Sequence, residues 1–328
     1  MPPKPTKITK VSGTVELLRD GQQNWFKVSV GTEIRPGDYL RRKQGASVTV
    51  SCSDGREGTF LPEGVQKPLG YICPSGFRDA TDSTIPYTIS PRDTLILSKR
   101  PTLRWHAPDN VNRFRVTVRG QGLNWTKQVN RDKACQGDIC QLVYPSDEPP
   151  LQLGITYVLV IETTDPNRSS EAPGLGFKLI DESKALEIQN LAQEIEQQEL
   201  STVEKALKLA DIYEQNLLTA EAIAILEALP NEGKNAAVYR QLGQRYDLIG
   251  LPLEAKAYYE KAIAKAESVG DKSELAAAQL ELGEVNWTLG KNQEAQNLLE
   301  AAKATYTELK NADMLSYLEE RLREMVNE

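Results

Sequence analysis

The chain has 328 residues, of which 40% are hydrophobic and 26% charged, and a formal charge of −7. That length implies two or three domains with sizeable cores. The charge is split: residues 1–180 carry 24 Lys and Arg against 18 Asp and Glu, whereas residues 181–328 carry 15 against 28. A helical half at −13 excludes nucleic-acid binding there, because phosphate contacts need Lys and Arg. No run of about 20 apolar residues could span a membrane, and the first residues lack the apolar stretch of a signal peptide. His106 is the sole histidine, which removes histidine-based triads and multi-histidine metal sites. No phosphate-binding loop, dinucleotide fingerprint or nucleophile elbow occurs. The expectation is a non-enzymatic protein with no metal and no cofactor.

Residues 8–55 read as short strands broken by turns every 8–10 residues, the pattern of a compact all-β unit. Ile8–Ser12, Thr14–Leu18, Trp25–Val28, Asp38–Arg42 and Ala46–Val50 are the apolar or alternating runs. Arg35-Pro36-Gly37-Asp38 is a turn with Pro at a favoured position. The series Gly13, Gly21, Trp25, Gly31, Gly37-Asp38, Gly45-Ala46, Val48-x-Val50 and Asp54-Gly55 resembles the FecR-type β domain. That resemblance implies an extracytoplasmic sensory or structural module. The membrane span and cytoplasmic tail of the family's named sensor are not in this sequence, so signalling to a sigma factor is not carried over. Residues 76–90, rich in Asp, Ser, Thr, Gly and Pro, are expected to form a linker.

The four cysteines all fall in the first 140 residues, as Cys52 with Cys73 and Cys135 with Cys140. Two local disulfides, a four-cysteine metal site and free buried thiols are the alternatives. The absence of C-x₂-C spacing disfavours the metal. Disulfides would place the protein in an oxidising compartment such as the periplasm or cell envelope. Reduced thiols would make it a cytoplasmic regulator.

Residues 91–180 hold a second β region. Leu103 and Trp105 share one strand face. Phe114, Val116 and Val118 alternate strictly with polar neighbours, so Arg113, Arg115 and Arg119 line the opposite face. Those three arginines are either the wet side of an antiparallel sheet or a face for an anionic partner, including a glycan. Tyr157–Ile161 is a strand buried on both faces. Leu151-x-Leu153-Gly154-x-Thr156-Tyr157 resembles the tyrosine corner of fibronectin type III and other immunoglobulin-like sandwiches. Leu153 stands where those domains usually have Pro.

From Asp181 the period changes to helical. Leu242-Gly243-x-x-Tyr246 with Ala255, Tyr259 and Ala262 resembles the tetratricopeptide repeat. Leu209-Ala210-x-x-Tyr213 with Ala222 and Leu226 is a weaker copy 33 residues earlier, and Leu282-Gly283-x-x-Asn286 with Ala295, Leu299 and Ala302 a third copy 40 residues later. Small residues let paired helices approach, and stacked pairs bury one continuous core. Gly250 and Gly290 mark hairpin turns. Extra residues around Ser268–Ser273 lengthen the second interval, and residues 312–328 form a capping helix. In this family the first helix of each pair lines the groove. The resemblance therefore places Glu204, Asp211, Glu214, Gln215, Arg240, Gln244, Asp247, Glu284 and Trp287 on a small acidic binding face for a basic or polar protein segment.

The expected organisation is thus multidomain, two all-β domains followed by an all-α domain: a FecR-like β domain with linker over 1–86, an immunoglobulin-like sandwich over 87–180, and tetratricopeptide-like repeats over 181–328. Its expected role is a protein–protein interaction scaffold. The alternatives are an envelope structural or glycan-binding module with the repeats as a spacer, and a cytoplasmic regulatory protein.

Overall fold

The computed structural model describes residues 6–19, 24–34, 38–43, 46–51, 57–58, 67–68, 81–163 and 176–327. Two compact units divide the chain, one of residues 1–182 with 248–250, the other of residues 183–247 with 251–328. The first is β-rich and the second is a helical repeat region.

In the β-rich unit, β1 (Lys7–Ser12), β2 (Val15–Leu18), β3 (Phe26–Lys27), β4 (Tyr39–Arg42), β5 (Ser47–Ser51), β6 (Glu57–Gly58) and β7 (Lys67–Pro68) form two sheets, ordered β1-β5-β6 and β3-β2-β4-β7. Alternation delivers Ile8, Val15, Leu17, Leu40, Val48 and Val50 to one core, with Val28, Ile34 and Ala46 from the connections. Gly13 sits at φ 72°, and a Cβ there would lie 2.9 Å from Ala46, so the chain needs glycine at this turn. On the outer side Arg41 bonds Glu16 at 2.7 Å and lies 4.1 Å from the Trp25 ring centroid. The predicted turns at Gly21, Gly37 and Gly45, and Cys52, Asp54-Gly55 and Cys73, lie outside the described residues.

The remaining strands are β8 (Tyr87–Ser90), β9 (Thr94–Ile96), β10 (Thr102–His106), β11 (Arg113–Gly120), β12 (Leu123–Asn130), β13 (Cys135–Gln136), β14 (Ile139–Val143), β15 (Val158–Glu162) and β16 (Phe177–Leu179). They pair as β13-β14-β10-β8, β12-β11-β15, and β16 parallel to β9. Leu103, Trp105, Phe114, Val116, Val118, Leu159 and Ile161 are buried between them. Tyr157 Oη accepts the Gln152 backbone N–H at 2.9 Å, the bond expected of a tyrosine corner. Residues 87–90 correct the linker expectation. They form a strand paired with β10, with Tyr87, Thr88 and Ile89 buried. Ser and Thr tolerate extended backbone, so composition alone hid an edge strand there.

Cys135 and Cys140 face each other across the β13–β14 hairpin and are joined by a disulfide. Gly137 turns that hairpin at φ 64°. Arg131 holds the hairpin from behind, donating to the carbonyls of Ala107, Pro108 and Gly137.

The helical unit contains α1 (Glu182–Glu196), α2 (Thr202–Gln215), α3 (Thr219–Glu227), α4 (Ala236–Leu248), α5 (Pro252–Val269), α6 (Lys272–Thr288), α7 (Asn292–Glu308) and α8 (Ala312–Asn327). The pairs α2/α3, α4/α5 and α6/α7 are the three expected repeats. Gly250 and Gly290 turn their hairpins at φ 71° and 74°, whereas Leu217 takes φ 60° in the first. The extra residues near Ser268 extend α5 to 18 residues and end it on Gly270 in the left-handed conformation. A Cβ on Gly243 would lie 2.5 Å from the Tyr259 ring, and one on Gly283 would lie 2.8 Å from Leu299. Those contacts are the physical reason the second and third pairs carry glycine at the crossing, where the first pair has Ala210. The second unit is therefore a tetratricopeptide-like stack. Its last helix, α8, buries Leu318, Leu322 and Met325 against Ala276, Leu280, Leu299, Ala302 and Tyr306. Ser316, Glu319 and Arg323 on its other side are exposed, as a cap requires.

Candidate interaction face

The expected groove residues sit on the first helix of each repeat, and the structure shows what most of them do there. An arginine–carboxylate bridge recurs along the stack, twice between first helices and once from α6 to the cap. From α2 to α4, Arg245 bonds Asp211 at 2.9 Å and approaches Glu214 at 3.7 Å. From α4 to α6, Arg240 makes a two-pronged contact with Glu274 at 2.7 and 3.2 Å and reaches Glu281 at 3.2 Å. Gln244 donates to the same Glu281 oxygen at 2.6 Å. From α6 to α8, Arg321 donates its Nε–H to both oxygens of Glu284 at 2.9 and 3.1 Å, and Tyr317 adds a third bond at 3.1 Å. Each bridge ties a first helix to the next first helix or, for α6, to the cap α8, through a planar guanidinium, and the Arg240–Glu274 contact uses two of its prongs.

Electrostatics follow from this packing. Burial works against the Arg240 charge, but Glu281 and Glu274 outweigh it and shift the guanidinium further toward the protonated form. Burial, with Glu281 nearby, raises the Tyr306 hydroxyl. The arginines are thus committed to neighbours. Five carboxylates meet three guanidiniums along these helices, so the face keeps an acidic excess.

Several expected residues have other duties. Glu204 closes a capping box at the start of α2: its carboxylate accepts from the Ser201 hydroxyl and backbone N–H, which holds it below the usual carboxylate range. Glu284 is buried beneath α8. Trp287 is half-buried against the α8 cluster, with Arg321 5.7 Å from its ring centroid. Both were expected to be open to a partner; the capping helix instead buries Glu284 and leaves Trp287 partly covered. Gln215 is exposed at the end of α2, and Asp247 is half-buried. Arg245, Glu274, Glu281 and Arg321 were missed by motif alignment. Arg and Glu recurring 34, 41 and 37 residues apart, about one repeat, is the signal that finds them.

On the β-rich unit, Arg113, Arg115 and Arg119 are exposed on β11, in register with Asn130, Gln128 and Asn124 of β12. Arg115 approaches Glu162 of β15 at 3.7 Å. Among the described residues, no helix is long and apolar enough to cross a membrane.

No family model matches this sequence, and no curated protein is significantly similar to it. Solved structures do align with the helical part. BtubC from P. vanneervenii is 20% identical over 43% of this chain, with a TM-score of 0.32; the chain spans 60% of that protein's length. A putative kinesin light chain with nearly identical TPR-like repeats from Podosopora anserina is 20% identical over 44% of this chain and 85% of its own, at a TM-score of 0.32. MamA protein is 20% identical over 43% of this chain and 78% of its own, at 0.28.

Proposed function

We propose that this protein is a non-enzymatic scaffold whose helical repeats hold a basic or polar segment of another protein against the first-helix face. The observation that carries this reading is the arginine commitment described above. Arg240, Arg245 and Arg321 are occupied within the stack, and the surplus on that face is carboxylate. A Lys- or Arg-rich segment gains charge complementarity there, and an acidic one is repelled. We read the β-rich unit as a FecR-like domain followed by an immunoglobulin-like sandwich. The glycine spacing supports the first, and the strand order with the Tyr157 corner supports the second. The Cys135–Cys140 disulfide favours an extracytoplasmic setting over the cytoplasmic alternative, since such bonds persist in oxidising compartments.

The test is calorimetric titration of the full chain with a Lys-rich extended peptide and an acidic peptide of equal length. The basic peptide is expected to bind with salt-sensitive affinity, weakened about tenfold by Asp211→Arg with Gln215→Arg. Equal binding of both peptides, or indifference to those substitutions, refutes the assignment. The second reading, a glycan-binding envelope module, draws on the exposed Arg113, Arg115 and Arg119 face beside the Asn and Gln side chains of β12. An acidic polysaccharide retained by the wild type and lost by the triple alanine variant would favour it.

A further inference from the structure

On the β-rich unit, the outer edge of β12 is unpaired among the described residues, independently of the helical face. β12 is the outer strand of the sheet β12-β11-β15. It pairs with β11 over eight consecutive residues without a register shift. Among the described residues, no backbone hydrogen bond leaves β12 on its far side. Asn124, Thr126, Lys127, Gln128 and Asn130 are all exposed. Proteins usually blunt such an edge with proline, a bulge, a short strand or a charge. β12 has only Lys127 of those devices.

We infer that β12 pairs antiparallel with the β12 of a second copy of this chain, about a two-fold axis at Thr126. The sequence of the strand selects both the occupant and the register. With the axis at Thr126, Asn124 stands opposite Gln128, Leu123 opposite Val129, and Lys127 opposite Trp125. No opposed pair then sets like charges together, and Lys127 stands across from the buried Trp125. Moving the axis to Lys127 sets two lysines against each other, which is unfavourable. Moving it to Trp125 or Gln128 shortens the overlap from seven residues to five. The arginines on the two β11 strands lie three strand spacings apart, about 14 Å. That exceeds the Debye length of about 8 Å at physiological salt, so their repulsion is screened. The product is a continuous six-stranded sheet with isologous contacts.

The experiment is sedimentation equilibrium of the full chain across a concentration series, with three double variants at exposed positions. Asn124→Lys with Gln128→Lys places like charges opposite each other twice per dimer. Asn124→Glu with Gln128→Lys, and Asn124→Lys with Gln128→Glu, place opposite charges there. Both mixed variants are expected to dimerise at least about tenfold more tightly than the double lysine variant. Thr126→Cys is expected to form a disulfide-linked dimer under mild oxidation, because it meets itself on the axis. Chains that stay monomeric at every concentration overturn the inference, as do equal dissociation constants for the three variants. A wild type that remains monomeric but protects the Leu123–Asn130 amides on adding a foreign extended peptide gives the edge to another occupant and overturns it too.

Discussion

Replacing Arg321 by alanine tests whether the terminal bridge holds the cap in place. Glu284 and Arg321 side chains are each 11% exposed, and the guanidinium meets both carboxylate oxygens. Removing Arg321 leaves the buried carboxylate with Tyr317 as its remaining bridge partner on α8. Breaking a buried pair from one side costs roughly 3–5 kcal/mol. The slight exposure lets water return, which favours the lower end, and loss of the cation near Trp287 adds up to about 1 kcal/mol. The expected cost is therefore about 3 kcal/mol, or roughly two orders of magnitude in the opening constant of α8. Hydrogen-exchange mass spectrometry of peptides within residues 312–327 reads this locally, which matters because a multidomain chain need not unfold in one step. A paired Glu284→Met with Arg321→Met variant removes both charges and keeps apolar bulk. It is expected to lie within about 1 kcal/mol of wild type, so the single costs should exceed the double by at least about 2 kcal/mol. Additive costs, or unchanged α8 protection in Arg321→Ala, would refute the bridge as the device that seats the cap.

Two further predictions concern packing and acid. Gly243→Ala drives a methyl into the Tyr259 ring, which is 1% exposed and has little room to move. Overpacking of about 1–3 kcal/mol, offset by up to about 1 kcal/mol of helix propensity, lowers stability by about 1–2 kcal/mol. A urea transition followed at the helical circular-dichroism band should shift to lower urea, and an unchanged midpoint would contradict the close crossing. In the β-rich unit, the hydrogen bond from Arg41, reinforced by its charge and that of Lys43, holds Glu16 below the usual carboxylate range against a smaller opposing effect of burial. A depressed acid stabilises the fold above its unfolded pKa of about 4.3 and loses that contribution as pH falls through the lower folded value. Arg41→Ala should move the Glu16 titration, followed by carbon NMR, back up toward the ordinary carboxylate range. An unmoved titration would show that Arg41 is not the cause.

The helical half was legible because its repeats write their packing into small residues: Gly243, Ala255 and Ala262 mark crossings that the structure reproduces. The β half yielded its strands through alternation, as at Phe114, Val116 and Val118, and failed where Ser and Thr blurred it at Tyr87–Ser90. The candidate face was legible only in part. Alignment to the repeat pattern names the positions on first helices, but it treats each pair alone and carries no information on what the next first helix presents to it. Glu284 and Trp287 therefore looked like open lining, because the residues that cover them belong to α8, outside any repeat motif.

That blind spot has a physical basis in the stack itself. Each repeat touches its neighbours alone, so the alignment of successive first helices depends on nearest-neighbour contacts. Apolar packing is non-directional and would tolerate small slips between helices. A forked arginine on a carboxylate does not, since both prongs must be met together. Such pairs add little net stability relative to apolar replacements, so their value here is geometric. The two-pronged Arg240–Glu274 contact fixes how far α6 advances on α4, while arginine bridges that do not fork onto one carboxylate tie α2 to α4 and α6 to the cap α8. Because two of those bridges use one arginine for two acids, the same contacts that set the geometry also leave negative charge on the surface. A partner rich in lysine or arginine would meet that charge already positioned, whereas a motif-based reading sees only a run of acidic residues.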